Sequence, residues 1–128
     1  MERWLRRYSE TIYAAMRFML GSAFACHGAG KLFGAYGAQP ATDKPLMLLA
    51  GVIEFFGGLL IAIGLEAGHA AFWASGLMAA GYFKAHASGG FWPIVNKGEL
   101  AVVYCFVFLY IASRGSGAIS VDAALRKS

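Results

Sequence analysis

The sequence predicts an all-α integral membrane protein, a four-helix bundle with antiparallel up-down-up-down connectivity and both termini on the cytoplasmic side. Three observations carry this expectation. The 128 residues are 59% hydrophobic and 14% charged, whereas a soluble domain is about half apolar and about a quarter charged. The apolar residues are gathered into four runs rather than dispersed. One run, Leu46–Leu65, holds a single charge, Glu54, in roughly the 20 residues a helix needs to cross about 30 Å of hydrocarbon. Backbone groups in lipid must be paired within their own segment, so each run is predicted as a helix. The length suits one domain over residues 1–128.

The first span is predicted over residues 11–31, with Arg17 inside it and Arg3, Arg6 and Arg7 ahead of it. Those arginines, the apolar run and Ala23-Phe24-Ala25 before Cys26 also have the form of a cleavable signal. Arg17 interrupts the apolar core such a signal requires, so the segment is read as a retained helix. The second span, 46–65, follows Lys44-Pro45, a fitting helix start. The third is predicted over 69–88, with Lys84 inside it. The fourth, 98–114, is short, reaching only about 25 Å at 1.5 Å per residue. Orientation follows from basic residues in short loops. Arg3, Arg6, Arg7, Arg114, Arg126 and Lys127 lie on the side of the termini, against Lys31, Lys44 and Lys97 on the other. The expected location is a bacterial-type inner membrane. Trp4, Tyr8 and Trp92 fall near the predicted interfaces, where such rings are enriched. The excess positive charge flanks apolar segments and forms no soluble patch, so nucleic acid is not an expected partner. The lipid bilayer is one, and a homo-oligomer is compatible with the composition.

Helical side chains lean toward the N-terminus of their own helix. On that rule His27 and Lys31, four residues apart on one face, lean back into the membrane from the end of the first span. Glu54 leans outward, His86 leans inward, and Glu99 sits in the first turn of the fourth span. These five groups are predicted to converge on the outer half of the bundle. A carboxylate at mid-membrane is costly unless it faces a partner or a wet cavity. Each group also has a plain structural reading. Glu54 can fix helix register by pairing with Lys31, His27 can be a satisfied core histidine, and His86 can be interfacial. Glu99 can simply favour a helix N-terminus, and Lys31 can snorkel. Gly51, Glu54 and Gly58 form one stripe. Close helix contact is its plainer explanation, and a slot in which Gly58 lets a flat ligand reach Glu54 is the functional one. Lys84 is half a turn out of phase with His86 and is left outside the cluster. Arg17 is read as snorkelling or bonding a carbonyl of the fourth helix.

His27, Glu54, His86 and Glu99 include metal-ligand types, but carboxylate-bridged metal bundles use Glu-x-x-His pairs on single helices, and none of these four residues belongs to such a pair. No metal is expected. Cys26 and Cys105 form no Cys-x-x-Cys motif and are read as buried free thiols. Proton-coupled chemistry fits the cluster better. Reduction of a quinone takes up protons at its oxygens. A histidine or lysine donor with a carboxylate relay serves that need. The expected catalytic residues are Glu54, His27 and Lys31, with His27, Lys31, Glu54, His86, Glu99 and Gly58 binding the ligand. No haem, flavin or iron–sulfur signature is present, so a redox partner protein is expected to hold the electron-carrying cofactor.

An ordered set of landmarks runs along nearly the whole chain: Arg17; His27-Gly28-x-x-Lys31-Leu32-Phe33-Gly34; Gly51-x-x-Glu54-x-x-Gly57-Gly58; Gly64-Leu65; His86; Gly90-Phe91; Asn96-x-x-Glu99; and Gly115-x-Gly117-x-x-Ser120-x-Asp122. In these the chain resembles the DoxX family of small four-helix membrane proteins. The resemblance implies that fold and the importance of His27, Lys31, Glu54 and Glu99. It implies a reaction less sharply, because relatives range from a subunit linked to thiosulfate:quinone oxidoreduction, through thiol and oxidative-stress defence, to a receptor-assembly chaperone. Three readings follow: a redox-associated subunit binding a quinone-like ligand, a non-catalytic scaffold or assembly factor for a partner complex, and a small proton- or cation-coupled transporter.

Overall fold

The computed structural model describes residues 1–41 and 43–127, and these contain helices and turns with no strand. A short α1 (Glu2–Arg6) precedes α2 (Ser9–Phe33). Then come α3 (Pro45–Ile63) and α4 (Ala67–Gly81). A one-turn α5 (Pro93–Asn96) leads into α6 (Glu99–Arg114), and α7 (Val121–Lys127) closes the chain. Among the described residues α3 is the one helix long and apolar enough by itself to cross a bilayer. It starts on Pro45 and ends at Gly64, whose left-handed backbone (φ 75°) turns the amide back onto the Leu60 and Ile61 carbonyls. Gly34 ends α2 in the same way (φ 71°).

The third segment departs from the sequence expectation. The α-helical part of 69–88 stops at Gly81, and the chain continues as a π-helical turn over Tyr82–His86 and a 3₁₀ turn over Ala87–Gly89. A π turn bonds i to i+5, is widened relative to an α turn, and is frequent at functional sites.

Helices α2 and α3 lie antiparallel with their backbones touching. A Cβ added at Gly58 would sit 2.5 Å from both the Ala25 nitrogen and the Gly21 oxygen, and one added at Gly28 would overlap the Phe55 nitrogen and the Gly51 oxygen. Small residues permit this approach where lipid supplies no hydrophobic drive. Helix α3 packs on α4, and α4 on α6. Ser75 of α4 donates to the Cys105 carbonyl of α6 at 2.8 Å. The core between them holds Phe24, Ile61, Phe108 and Ile111, together with Ala67, Ala71 and Ala74. Outward, each long helix exposes large apolar side chains: Phe18 and Met19 on α2, Phe56 and Leu59 on α3, Phe72 and Trp73 on α4, Phe106 and Leu109 on α6.

One end of the molecule is tied by Arg17. The sequence suggested snorkelling or a fourth-helix carbonyl, and the side chain does neither. It is buried, 3% exposed, and donates to Ile61 O of α3 (2.8 Å), Ile119 O (2.9 Å) and Ser116 O. The last two lie in the segment after α6. Asp122 adds to this knot by accepting from the Glu66 amide (2.8 Å) and the Ser116 hydroxyl (2.6 Å).

Candidate functional site

At the opposite end a cavity of about 610 Å³ opens between the C-terminal half of α2, the N-terminal half of α3, the π turn after α4 and the start of α6. Its deeper wall is apolar, built from Phe24, Met47, Leu77, Met78 and Leu100, with the Tyr104 ring among them. Its polar groups are His27, Lys31, Glu54, Lys84, His86 and Lys97.

Glu54 lies at the centre of this set. Its side chain is 4% exposed and accepts from Lys31 Nζ at 2.5 Å, while the lysine is 27% exposed. Gly51 makes room for this pair, because a Cβ there would come within 3.0 Å of the Lys31 Cβ. A buried carboxylate with one ammonium partner is neutralised as a pair, and the lysine is its more exposed member. Removal of Lys31 alone would strand the buried carboxylate, which is far more costly than loss of both members, whereas the partly exposed lysine can be solvated without Glu54.

His86 is oriented by Asn96. Its Nδ1 lies 3.3 Å from the Asn96 carbonyl. A carbonyl only accepts, so Nδ1 carries the proton in this contact and the neutral ring keeps Nε2 as its acceptor. Asn96 is itself buried and fully engaged. Its Nδ2 donates to Tyr82 Oη (2.9 Å) and Gly90 O (3.0 Å), and its Oδ1 accepts from the Gly98 amide (2.8 Å). One side chain thereby fixes the π turn, the Gly90 loop and the entry to α6.

Of the residues predicted from sequence, His27, Lys31, Glu54 and His86 line the one cavity. Two do not. Glu99 is exposed and borders a second groove with Pro93, Ile94, Lys97 and Leu100, the last two of which also line the cavity. Gly58 is pressed against the α2 backbone and makes helix contact rather than a wall of the cavity. Lys84, left aside on a phase argument, does line the cavity. That argument assumed regular α geometry where the chain forms a π turn. Lys97 and Tyr104 were not singled out, although the position of Lys97 just ahead of the fourth span was a usable signal. Asn96 was named as a landmark but given no role. Among the described residues no group of His, Cys, Asp and Glu is arranged to hold a metal ion. Cys26 and Cys105 are free thiols. Cys26 is exposed rather than buried, 3.4 Å from Tyr36 Oη.

Comparison with known proteins adds the following. The family model described as DoxX matches residues 12–87, which takes in α2, α3, α4 and the π turn. An uncharacterized protein of Haemophilus influenzae is 38% identical over 125 residues, covering 92% of this chain and 93% of that protein. No solved structure matches the chain.

Proposed function

Because this chain belongs to the DoxX family of membrane proteins, we propose that it is a four-helix, multi-pass inner-membrane protein, both termini cytoplasmic, that binds a quinone-like ligand in the cavity beside Glu54 as part of a redox assembly. The large apolar side chains facing outward on α2, α3, α4 and α6 support the multi-pass reading. Contiguous exposed apolar surface of that kind is uncommon on soluble monomers. The basic residues of α1 and α7, Arg3, Arg6, Arg126 and Lys127, together with Arg7 and Arg114, support the orientation.

The observation that carries the ligand assignment is the composition of the cavity. Its apolar walls suit a ring and tail, and its polar groups can both give and accept protons. A quinone, when bound, supplies two-electron, two-proton redox chemistry. The residues here would do the rest. His27 or Lys31 donates a hydrogen bond to one ring oxygen. His86 presents Nε2 as an acceptor. The Lys31–Glu54 pair holds and passes a proton, because loss of a proton from the ammonium and gain of one by the carboxylate leave the pair uncharged overall. Electrons come from a partner protein that carries its own cofactor. Phe24, Phe108, Ile61 and Ile111, each at most 1% exposed, form an apolar layer between the cavity and the Arg17 knot. This favours a closed-ended binding site over a transport path.

The test is binding of a short-tailed naphthoquinone to the purified protein in detergent. Glu54→Gln keeps a partner for Lys31 while removing the acid. It should accumulate and fold normally yet bind at least about tenfold more weakly, a loss of about 1.4 kcal/mol. Unchanged binding overturns the assignment, and failure of the variant to accumulate favours the scaffold reading.

A further inference from the structure

We propose that the quinone taken by this cavity is an acidic one, a ring carrying an ionised hydroxyl, and that Lys84 and Lys97 are the residues that select it. This rests on the quinone-binding reading and narrows its substrate class.

The cavity has an unbalanced charge. Lys31, Lys84 and Lys97 line it, against Glu54 as the one acidic side chain in its wall. Glu54 is already committed to Lys31. Lys84, in the π turn, and Lys97, between α5 and α6, make no ion pair among the described residues. Glu99, two positions beyond Lys97, lines a neighbouring groove that Lys97 also borders, and forms no ion pair with it. His27 and His86 supply no negative charge in either protonation state. Lys84 and Lys97 are themselves exposed, so two cationic residues stand at the border of an apolar cavity without a paired counter-charge. That arrangement favours an anionic oxygen over a neutral carbonyl at the cavity's edge.

The backbone supports the same assignment. Lys97 has left-handed φ (63°), a conformation that favours glycine or asparagine. A lysine occupies that position here, and it borders both the cavity and the neighbouring groove. Lys84 reaches the cavity because the chain widens into a π turn at that point. The apolar residues Met47, Leu77, Met78 and Leu100 leave room for the tail.

The experiment uses the full chain in neutral detergent and two probes that differ in one group: a 2-hydroxy-3-alkyl-1,4-naphthoquinone, ionised at neutral pH, and its 2-methoxy ether. Equilibrium dialysis reads both affinities. The hydroxy compound should bind at least about tenfold more tightly than the ether. The double variant Lys84→Gln/Lys97→Gln should bring the two together without weakening the ether. Lys84→Arg/Lys97→Arg, which keeps the charge and controls for folding, should retain the preference. Equal binding of both probes to the unmodified protein overturns the proposal while leaving the quinone reading intact. A preference that survives in the glutamine variant, or is lost in the arginine variant, overturns it too. If neither probe binds, the quinone reading itself fails.

Discussion

Glu54 and Lys31 show how a single pair was legible in sequence and a single turn was not. A lone carboxylate in an apolar run demands a partner, and Lys31 was the cation predicted at similar depth. The contact at 2.5 Å follows that logic. The pair makes a prediction of its own. Lys31→Met should destabilise the protein by roughly 3 kcal/mol, because it strands a buried acid, whereas adding Glu54→Gln should recover most of that loss. Thermal unfolding of the two variants in detergent checks this, and a double variant no more stable than Lys31→Met would contradict it. Asn96 was harder to read. Its four contacts reach Tyr82, His86, Gly90 and Gly98, and no spacing rule pairs an asparagine with a turn ten or more positions earlier. Asn96→Ala should free the π turn. The expected signs are faster amide exchange across Tyr82–His86 and quinone binding weakened about tenfold, with α2 and α3 unaffected.

The elements divide along the same line. Helix α3 was predictable to within two residues at each end, because length, apolarity, Pro45 and Gly64 all act locally. The α2–α3 contact was foreseen only as the plainer reading of a glycine stripe. Its tightness depends on which α2 residue meets which glycine. Gly28→Val should push the helices apart, since the side chain would enter the α3 backbone at Phe55 and Gly51. The expected cost is about 1–3 kcal/mol, as for other overpacked sites, and Gly57→Ala, which meets nothing within 4 Å, is the control that should leave the melting temperature unchanged. The π turn was missed because its hydrogen-bond pattern leaves no mark in hydrophobic periodicity. It matters to the site, since it carries both Lys84 and His86.

Across the whole molecule, the two ends of the helices do different work. One end is tied together by Arg17, Ser116 and Asp122, beside a surface groove of about 590 Å³, and the other opens into the cavity. Glu10, in the first turn of α2 and ahead of the apolar stretch, joins the tied end to the C-terminal segment. It accepts from the Ala118 amide at 3.0 Å and pairs with Arg114. The Ala118 hydrogen bond and, after it, the Arg114 charge hold its carboxyl below the ordinary glutamate value. Because the folded value is depressed, this tie is fully present above the unfolded value of about 4.3 and is lost as pH falls through the folded one. Amide hydrogen exchange in detergent should therefore show the segment after α6 protected at pH 5 and released progressively at acid pH, as pH falls through the depressed Glu10 value. Glu10→Gln should release it at pH 5 as well, and a profile unchanged by that substitution would assign the acid sensitivity to another group.

Taken alone, the sequence determined what acts along one segment: the helical class, the apolar runs, the ends of α3 and the need of Glu54 for a cation. Hydrophobic length, capping residues and the cost of a charge in lipid are local quantities, and they can be read in order along a chain. Tertiary structure decided which polar groups share a space. It joined Lys84 and Lys97 to the cavity, turned Glu99 and Gly58 away from it, and sent Arg17 to carbonyls of α3 and of the segment beyond α6. Those outcomes depend on the rotation of one helix against another and on a widened turn, which are set by packing between segments distant in sequence.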